Sequence, residues 1–269
     1  KSDPGVKDAE SPEQARKREQ ALAGVLTQNA AAALVDGQHD RPAIPEVAPP
    51  ADTLARIESL LVQGQREEAL DLAVGARLWG LALVVASVIS KERYCAVIRQ
   101  YTDASFVAGS PIHTLSLIFS GQASSAIQHQ GKPLLAASAT TSGGVPQPAL
   151  LTHWRTNLAA MIANRAPGCE QLMLELGDRL LQEIRDPFAA HIAYLLGGLS
   201  PDDSSQGAAP TRLRLLGWDH VSCPQPAPAA RVLAIHRTEA FERVCQLPFS
   251  MSLQHDKLWY ATLLAEAGC

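Results

Sequence analysis

Apolar side chains recur at helical spacing along most of the chain, and the alternation that marks a strand is nearly absent. Leu54, Ile57, Leu60 and Leu61 make one apolar face, capped by Asp52 or Thr53 and broken at Gly64. A second helix is predicted over 66–76. Leu78, Leu81, Ala82, Val85, Val88 and Ile89 mark a third. Trp79, Leu83 and Val84 make that helix apolar nearly all round, which predicts burial on several sides. Ser90 is placed to cap a fourth over 91–101. Ser110-Pro111 opens a fifth over 112–119, which Gly121 stops.

The pattern resumes at Leu150. Leu151, Trp154, Leu158 and Met161 share one face, and Met173, Leu176 and Leu180 share the next. Asp186-Pro187 starts a helix carrying Phe188, Ile192, Leu195 and Leu196, which Gly197-Gly198 ends. A single helical turn is expected over 212–216, a proline-containing loop over 222–230, and two final helices around 232–246 and 255–267. At the other end, Ser11-Pro12-Glu13 reads as an N-cap followed by Pro at the first helical position. That helix runs through Ala21, Leu22, Val25 and Leu26 toward Val35, where Asp36-Gly37 ends it. The resulting division is a charged N-terminal helix and Pro-rich linker over 1–51, then a helical domain over 52–269 with loop insertions near 138–148 and 199–211.

The fold class this predicts is all-α: an α-solenoid of stacked antiparallel helices, each burying its stripe against its neighbours. No fixed period near 34 residues recurs, so a regular tetratricopeptide array is not expected.

Composition narrows the function. In 269 residues, 23 Lys+Arg face 27 Asp+Glu, a formal net charge of −4. That balance lacks the basic footprint of a nucleic-acid binder, and 5% aromatic residues offer few stacking platforms. No apolar run reaches the roughly 20 residues a bilayer requires. Five widely spaced cysteines (Cys95, Cys169, Cys223, Cys245 and Cys269) do not form a disulfide framework, and no Asn-x-Ser/Thr sequon occurs. The chain opens on Lys1 with no signal-peptide pattern, as expected for a piece of a longer protein in a reduced, cytosolic setting.

Tests for chemistry come out negative. The nearest approach to a phosphate loop, Ala126 through Gly131-Lys132-Pro133, has Ala for the first glycine and Pro where magnesium needs a hydroxyl, and no strand precedes it. His220 and Cys223 have ligand-like types, yet no Cys-x-x-Cys or His-Glu-x-x-His supplies the rest of a four-ligand zinc site. No nucleophile elbow occurs. Asp178, Arg179, Glu183 and Arg185 read as a solvated helical face with i, i+4 support. His191, among Ala189, Ala190 and Ala193, reads as a hydrogen-bonded packing histidine. Trp79 and Trp154 read as core, so that truncation to Ala costs about 3–5 kcal/mol. No catalytic, cofactor-binding or metal residue is assigned, and no cofactor.

Certain blocks carry more than composition does. Leu60-Leu61-Val62-Gln63-Gly64-Gln65-Arg66-Glu67-Glu68-Ala69-Leu70-Asp71-Leu72-Ala73, followed by Leu78-Trp79-Gly80-Leu81-Ala82, resembles the central domain of the Sec-sixteen family, scaffolds of endoplasmic reticulum exit sites. Trp154 to Asn164, Leu176-Gly177-Asp178-Arg179-Leu180 with Ala190 to Leu196, and Leu215-Leu216-Gly217-Trp218-Asp219-His220 resemble later blocks in the same order. Thr238-Glu239, Leu253-Gln254, Lys257 and Tyr260 to Ala265 complete the series. The resemblance covers about residues 54–267. It implies the ancestral coatomer element fold, no enzymatic activity, and a role in COPII vesicle coat assembly in ER-to-Golgi transport, at the cytoplasmic face of the endoplasmic reticulum. It implies COPII coat subunits as partners, above all the Sec-thirteen β-propeller, which family members bind by donating a blade from before the helices. It also implies self-association and a peripheral membrane position held through partners. No strand-rich segment precedes Asp52 here. The same architecture would also serve a coat-cage or nuclear-pore subunit, and a helical hydrolase with a dispersed site built on His191 and Asp178 is the third reading.

Overall fold

The structure is a computed structural model that describes residues 12–28, 51–122, 149–201, 212–219, 222–223, 227–245 and 251–268. Among these residues all regular secondary structure is helical. The 138–148 insertion, most of the 199–211 insertion, the linker and the far end of the first predicted helix lie outside the described residues. The chain divides into two compact units, Lys1–Cys169 and Glu170–Cys269.

The first unit holds α1 (Pro12–Thr27), α2 (Ala51–Val62), α3 (Arg66–Gly75), α4 (Trp79–Ile89), α5 (Lys91–Ser105), α6 (Pro111–Phe119), α7 (Ala149–Thr152) and α8 (Trp154–Ala163). From α2 to α6 each helix packs on the next, α8 packs on α6, and α1 lies along α8. Neighbours in sequence are thus neighbours in space, as in a stack of hairpins. The core of α2–α5 is Ile57, Ala69, Leu70, Ala73, Ala82, Val85, Ala86 and Val97. Small residues from α3 and α4 meet there, which lets the helix axes approach closely. Side chains then fix the order. Arg93 on α5 pairs with Glu67 and Asp71 on α3. Buried Asn157 on α8 donates to the Gly109 carbonyl, 2.9 Å away, just before α6.

Helix ends repeat one device. After α2, the N–H groups of Gly64 and Gln65 return to the carbonyls of Leu61 and Leu60 at 3.0 and 2.9 Å. After α6, Gly121 and Gln122 return to Ile118 and Leu117 at 2.9 and 2.8 Å. This paired closure satisfies carbonyls the helix leaves open, and it needs a left-handed residue at its corner. Gly64 and Gly121 supply it, with φ of 79° and 76°. After α3 the same two bonds form, from Arg77 to Val74 and from Leu78 to Ala73, but the corner is Arg77 at φ 57°. Starts are equally explicit. Ser90 accepts from the N–H of Arg93, and Ser110 accepts from that of His113 with Pro111 at the first helical position.

The second unit holds α9 (Cys169–Arg179), continued by a π-turn (Leu180–Ile184), then α10 (Pro187–Leu196), α11 (Pro228–Cys245) and α12 (Met251–Glu266). Asp186 caps α10 by accepting from Phe188 and Ala189, both at 3.0 Å, and Gly197-Gly198 closes it, as expected. Helix α11 begins inside the predicted loop, because Pro228 sits at its first position, where a missing N–H costs nothing.

Three expectations need correction. Helix α4 is not covered on every side, for Val84 and Val88 are 64% and 62% exposed. Its neighbours α3 and α5 take the faces bearing Ala82, Val85 and Ala86 and leave the third open. The tryptophans are only half-buried. Trp79 packs at a tilt on Tyr101, ring centroids 5.7 Å apart, and Trp154 lies under the Arg155 guanidinium. Residues 212–216 form no helical turn, for a reason given by the side chains around them. Replacing Arg77 by Gly is expected to raise stability by about 0.5–1 kcal/mol, since a left-handed backbone strains any residue with a β-carbon; thermal melting of the two chains checks it.

Candidate functional site: a buried polar clasp in the second unit

The segment 212–219 is irregular yet buried. Leu213, Leu215, Leu216 and Trp218 are all core residues. Irregular backbone can be buried only if its polar groups find partners, and here side chains from the surrounding helices provide them. The N–H of Leu216 donates to Thr238 Oγ1 on α11 at 2.9 Å, and that hydroxyl donates on to the Ala234 carbonyl at 2.8 Å. The N–H of Gly217 donates to Nδ1 of buried His191 on α10 at 3.0 Å. Accepting there leaves the ring proton on Nε2. With these amides committed to α10 and α11, a helical ladder over 212–216 has no donors to use. Trp218 Nε1 donates to the Cys223 carbonyl at 2.8 Å.

The flanking arginines extend the clasp to α9 and α12. Arg212 reaches Asp178 on α9 at 2.9 Å, and Tyr194 on α10 donates to the other carboxylate oxygen at 2.8 Å. Asp178 is therefore half-buried and bridges α10 to the irregular segment, whereas the sequence pattern places it on a solvated helical face. Gly177 makes this reach feasible, because a β-carbon there would collide with the Tyr194 ring. Burial first, and then the Asp178 hydrogen bond, push the Tyr194 hydroxyl pKa well above its ordinary value. Arg214 reaches Asp256 on α12 at 3.3 Å. Asp256 is wholly buried and also accepts from Arg231 on α11, whose Nε lies 3.1 Å away and whose guanidinium stacks 4.2 Å over the Trp259 ring. A buried carboxylate is costly unless paired. Two guanidiniums pair this one and so tie α11, α12 and the clasp together.

The residues weighed for chemistry separate. His191 and Asp178 both join the clasp, each engaged in holding backbone or side chain. Arg179 and Glu183 form the expected i, i+4 pair at 2.6 Å. Cys223 is exposed, while His220 and the 126–133 stretch lie outside the described residues. Among the described residues no group of three or more His, Cys, Asp or Glu could hold a metal ion, and no helix is long and apolar enough to cross a membrane. Sequence reasoning missed Asp256, Arg214 and Arg231. The available signal was an acid at a core-facing position, three residues after Leu253 and four before Tyr260.

The sequence model of the family described as "Sec16 Sec23-binding domain" matches residues 57–269. The chain belongs to the Sec16 family. Among its Sec16 relatives, the Arabidopsis thaliana "Protein transport protein SEC16A homolog" is 33% identical over 220 residues, covering 80% of this chain and 15% of the relative. Human "Protein transport protein Sec16B" is 30% identical over 232 residues, covering 83% of this chain and 20% of the relative. The chain thus spans about a fifth or less of these proteins. A chain of the solved "Sec13/Sec16 complex, S.cerevisiae" superposes with a TM-score of 0.60 at 18% identity, covering 93% of this chain and 65% of that one. The likeness shows a shared helical fold. The blocks that carried the Sec16 resemblance include several residues of the clasp, namely Gly177-Asp178, His191, Tyr194, Leu216-Gly217-Trp218 and Thr238, but not Arg212, Arg214, Arg231 or Asp256.

Asp256→Ala is expected to destabilise the domain by about 2–3 kcal/mol in urea unfolding. That is less than the 3–5 typical of a broken buried pair, because Arg214 is 40% exposed and can rehydrate. Tyr194 contributes a pH signature. Its hydroxyl titrates later in the folded chain than in the unfolded one, so the unfolded state loses its proton first and stability falls as pH rises above about 10. Tyr194→Phe should remove that alkaline slope while leaving unfolding between pH 6 and 8 free of any new pH dependence.

Proposed function

We propose that this Sec16-family domain is a non-enzymatic scaffold that organises endoplasmic reticulum exit sites and promotes COPII coat assembly in ER-to-Golgi transport. The family match over 57–269 carries the reading. It favours exit sites over the coat-cage and nuclear-pore alternatives. The geometry supports it, since the ionisable groups first weighed for catalysis are committed to the clasp. The family description names Sec23, and the solved relative is a complex with Sec13. COPII subunits of both kinds are the proposed partners, together with self-association. The described residues contain no strand, so a blade donated to a propeller would come from outside them. The domain works at the cytoplasmic face of the endoplasmic reticulum, held at the membrane through its partners. Residues 52–269 form the scaffold domain, and 1–51 contribute a helix that lies along α8.

Size-exclusion chromatography of the purified chain with the Sec23-type subunit of the same organism tests this directly. Co-elution at micromolar concentration is expected. Separate elution of two proteins that are both folded by circular dichroism rejects the reading.

A further inference from the structure

Where α6 meets α5 and α8, the first unit is packed differently from the core beside it. The core of α2–α5 is built from Ile, Leu, Val and Ala alone. At this joint the buried side chains include polar ones: Thr102 on α5, His113 and Thr114 in the first turn of α6, and Asn157 on α8, none more than 3% exposed. Three contacts place them. The Cys95 thiol on α5 donates to the Ser120 carbonyl at the end of α6, 3.0 Å away, and His113 Nε2 lies 3.1 Å from Asp103 Oδ1 on α5. The two helices therefore run antiparallel, with positions 102 and 114 level with each other beside the Asp103–His113 pair. Asn157 Nδ2 donates to the Gly109 carbonyl at 2.9 Å, which sets it at the same first turn of α6.

Each of the four carries an atom with no hydrogen-bond partner in the protein: Thr102 Oγ1, His113 Nδ1, Thr114 Oγ1 and Asn157 Oδ1. The bonds these residues do make fix what those atoms need. A carboxylate only accepts, so neutral His113 holds its ring proton on Nε2 toward Asp103, and its Nδ1 is an acceptor. Asn157 gives its amide hydrogens to the carbonyls of Gly109 and His153, so its Oδ1 is an acceptor too. Two acceptors and two hydroxyls call for a ligand that donates twice, also accepts, and is small enough to lie between packed helices. Water has that valence, and buried polar groups left unpaired by protein are matched by ordered water in folded chains, because leaving them bare costs more than a bond gains. Asp103 is 51% exposed and bonds to His113, so the polar joint reaches solvent at that residue.

We propose that Thr102, His113, Thr114 and Asn157 form an internal hydration site, where ordered water bridges α5, α6 and α8. The site does not depend on the COPII role.

A high-resolution crystal structure of the full chain should show water within hydrogen-bond distance of at least two of the four atoms. Magnetic relaxation dispersion of the water oxygen should detect a long-lived water in solution and lose it in Thr114→Val. Thr102→Val and Thr114→Val keep the side-chain shape but deprive the water of a partner, so each should lower the melting temperature by roughly 2–4 °C. If instead the hydroxyls are bare in the folded chain, the same two changes remove a penalty and raise it. An unchanged or higher melting temperature in both Val variants overturns the proposal. So does a crystal structure in which the four atoms are closed by direct protein bonds or by an ion, or a dispersion signal that a folded Thr114→Val chain retains in full.

Discussion

A single backbone conformation, the left-handed residue just past a helix end, underlies the stacked architecture. Helices of ten or so residues cannot persist alone in water, because nucleation costs more than so few hydrogen bonds return. They persist by lying against the next helix, and that requires the chain to reverse within two or three residues while still satisfying the last carbonyls. Gly64, Arg77, Gly121 and Gly198 each do this with the same pair of returning N–H bonds. Once the reversal is fixed, the small residues on α3 and α4 can meet and the aliphatic core of the first unit closes.

The second unit is held by different means. There a stretch without regular structure is buried at the centre, and every helix of the unit sends a polar side chain to it or to its flanks. Leaving a buried amide or carboxylate unpaired costs more than making the bond gains. Thr238, His191, Asp178 and Asp256 therefore act less as added attraction than as a condition for burial. A chain folded with the segment misplaced would strand several groups at once, so this arrangement discriminates strongly between right and wrong packings.

Much of this was legible in the sequence. Apolar periodicity located most of the helices, and Ser90, Ser110 and Asp186-Pro187 announced their starts because capping is a local interaction between near neighbours. The misses are non-local. Nothing near Val84 and Val88 reveals that α4 lacks a third neighbour. Nothing within 212–216 reveals that its amides belong to residues on two other helices. Asp178 was misread for the same reason, since its partners stand 16 and 34 positions away. The single break at His153, which splits the predicted helix into α7 and α8, likewise has no local glycine or proline to mark it.

The clasp amides also make a gauge. A helical N–H exchanges with deuterium whenever its own turn frays, but those of Leu216 and Gly217 are sealed by side chains rooted in two separate helices. They become accessible only when α11 or α10 moves away. Their exchange lifetimes would therefore time the parting of those helices one at a time, giving a readout of mechanical slack inside the second unit.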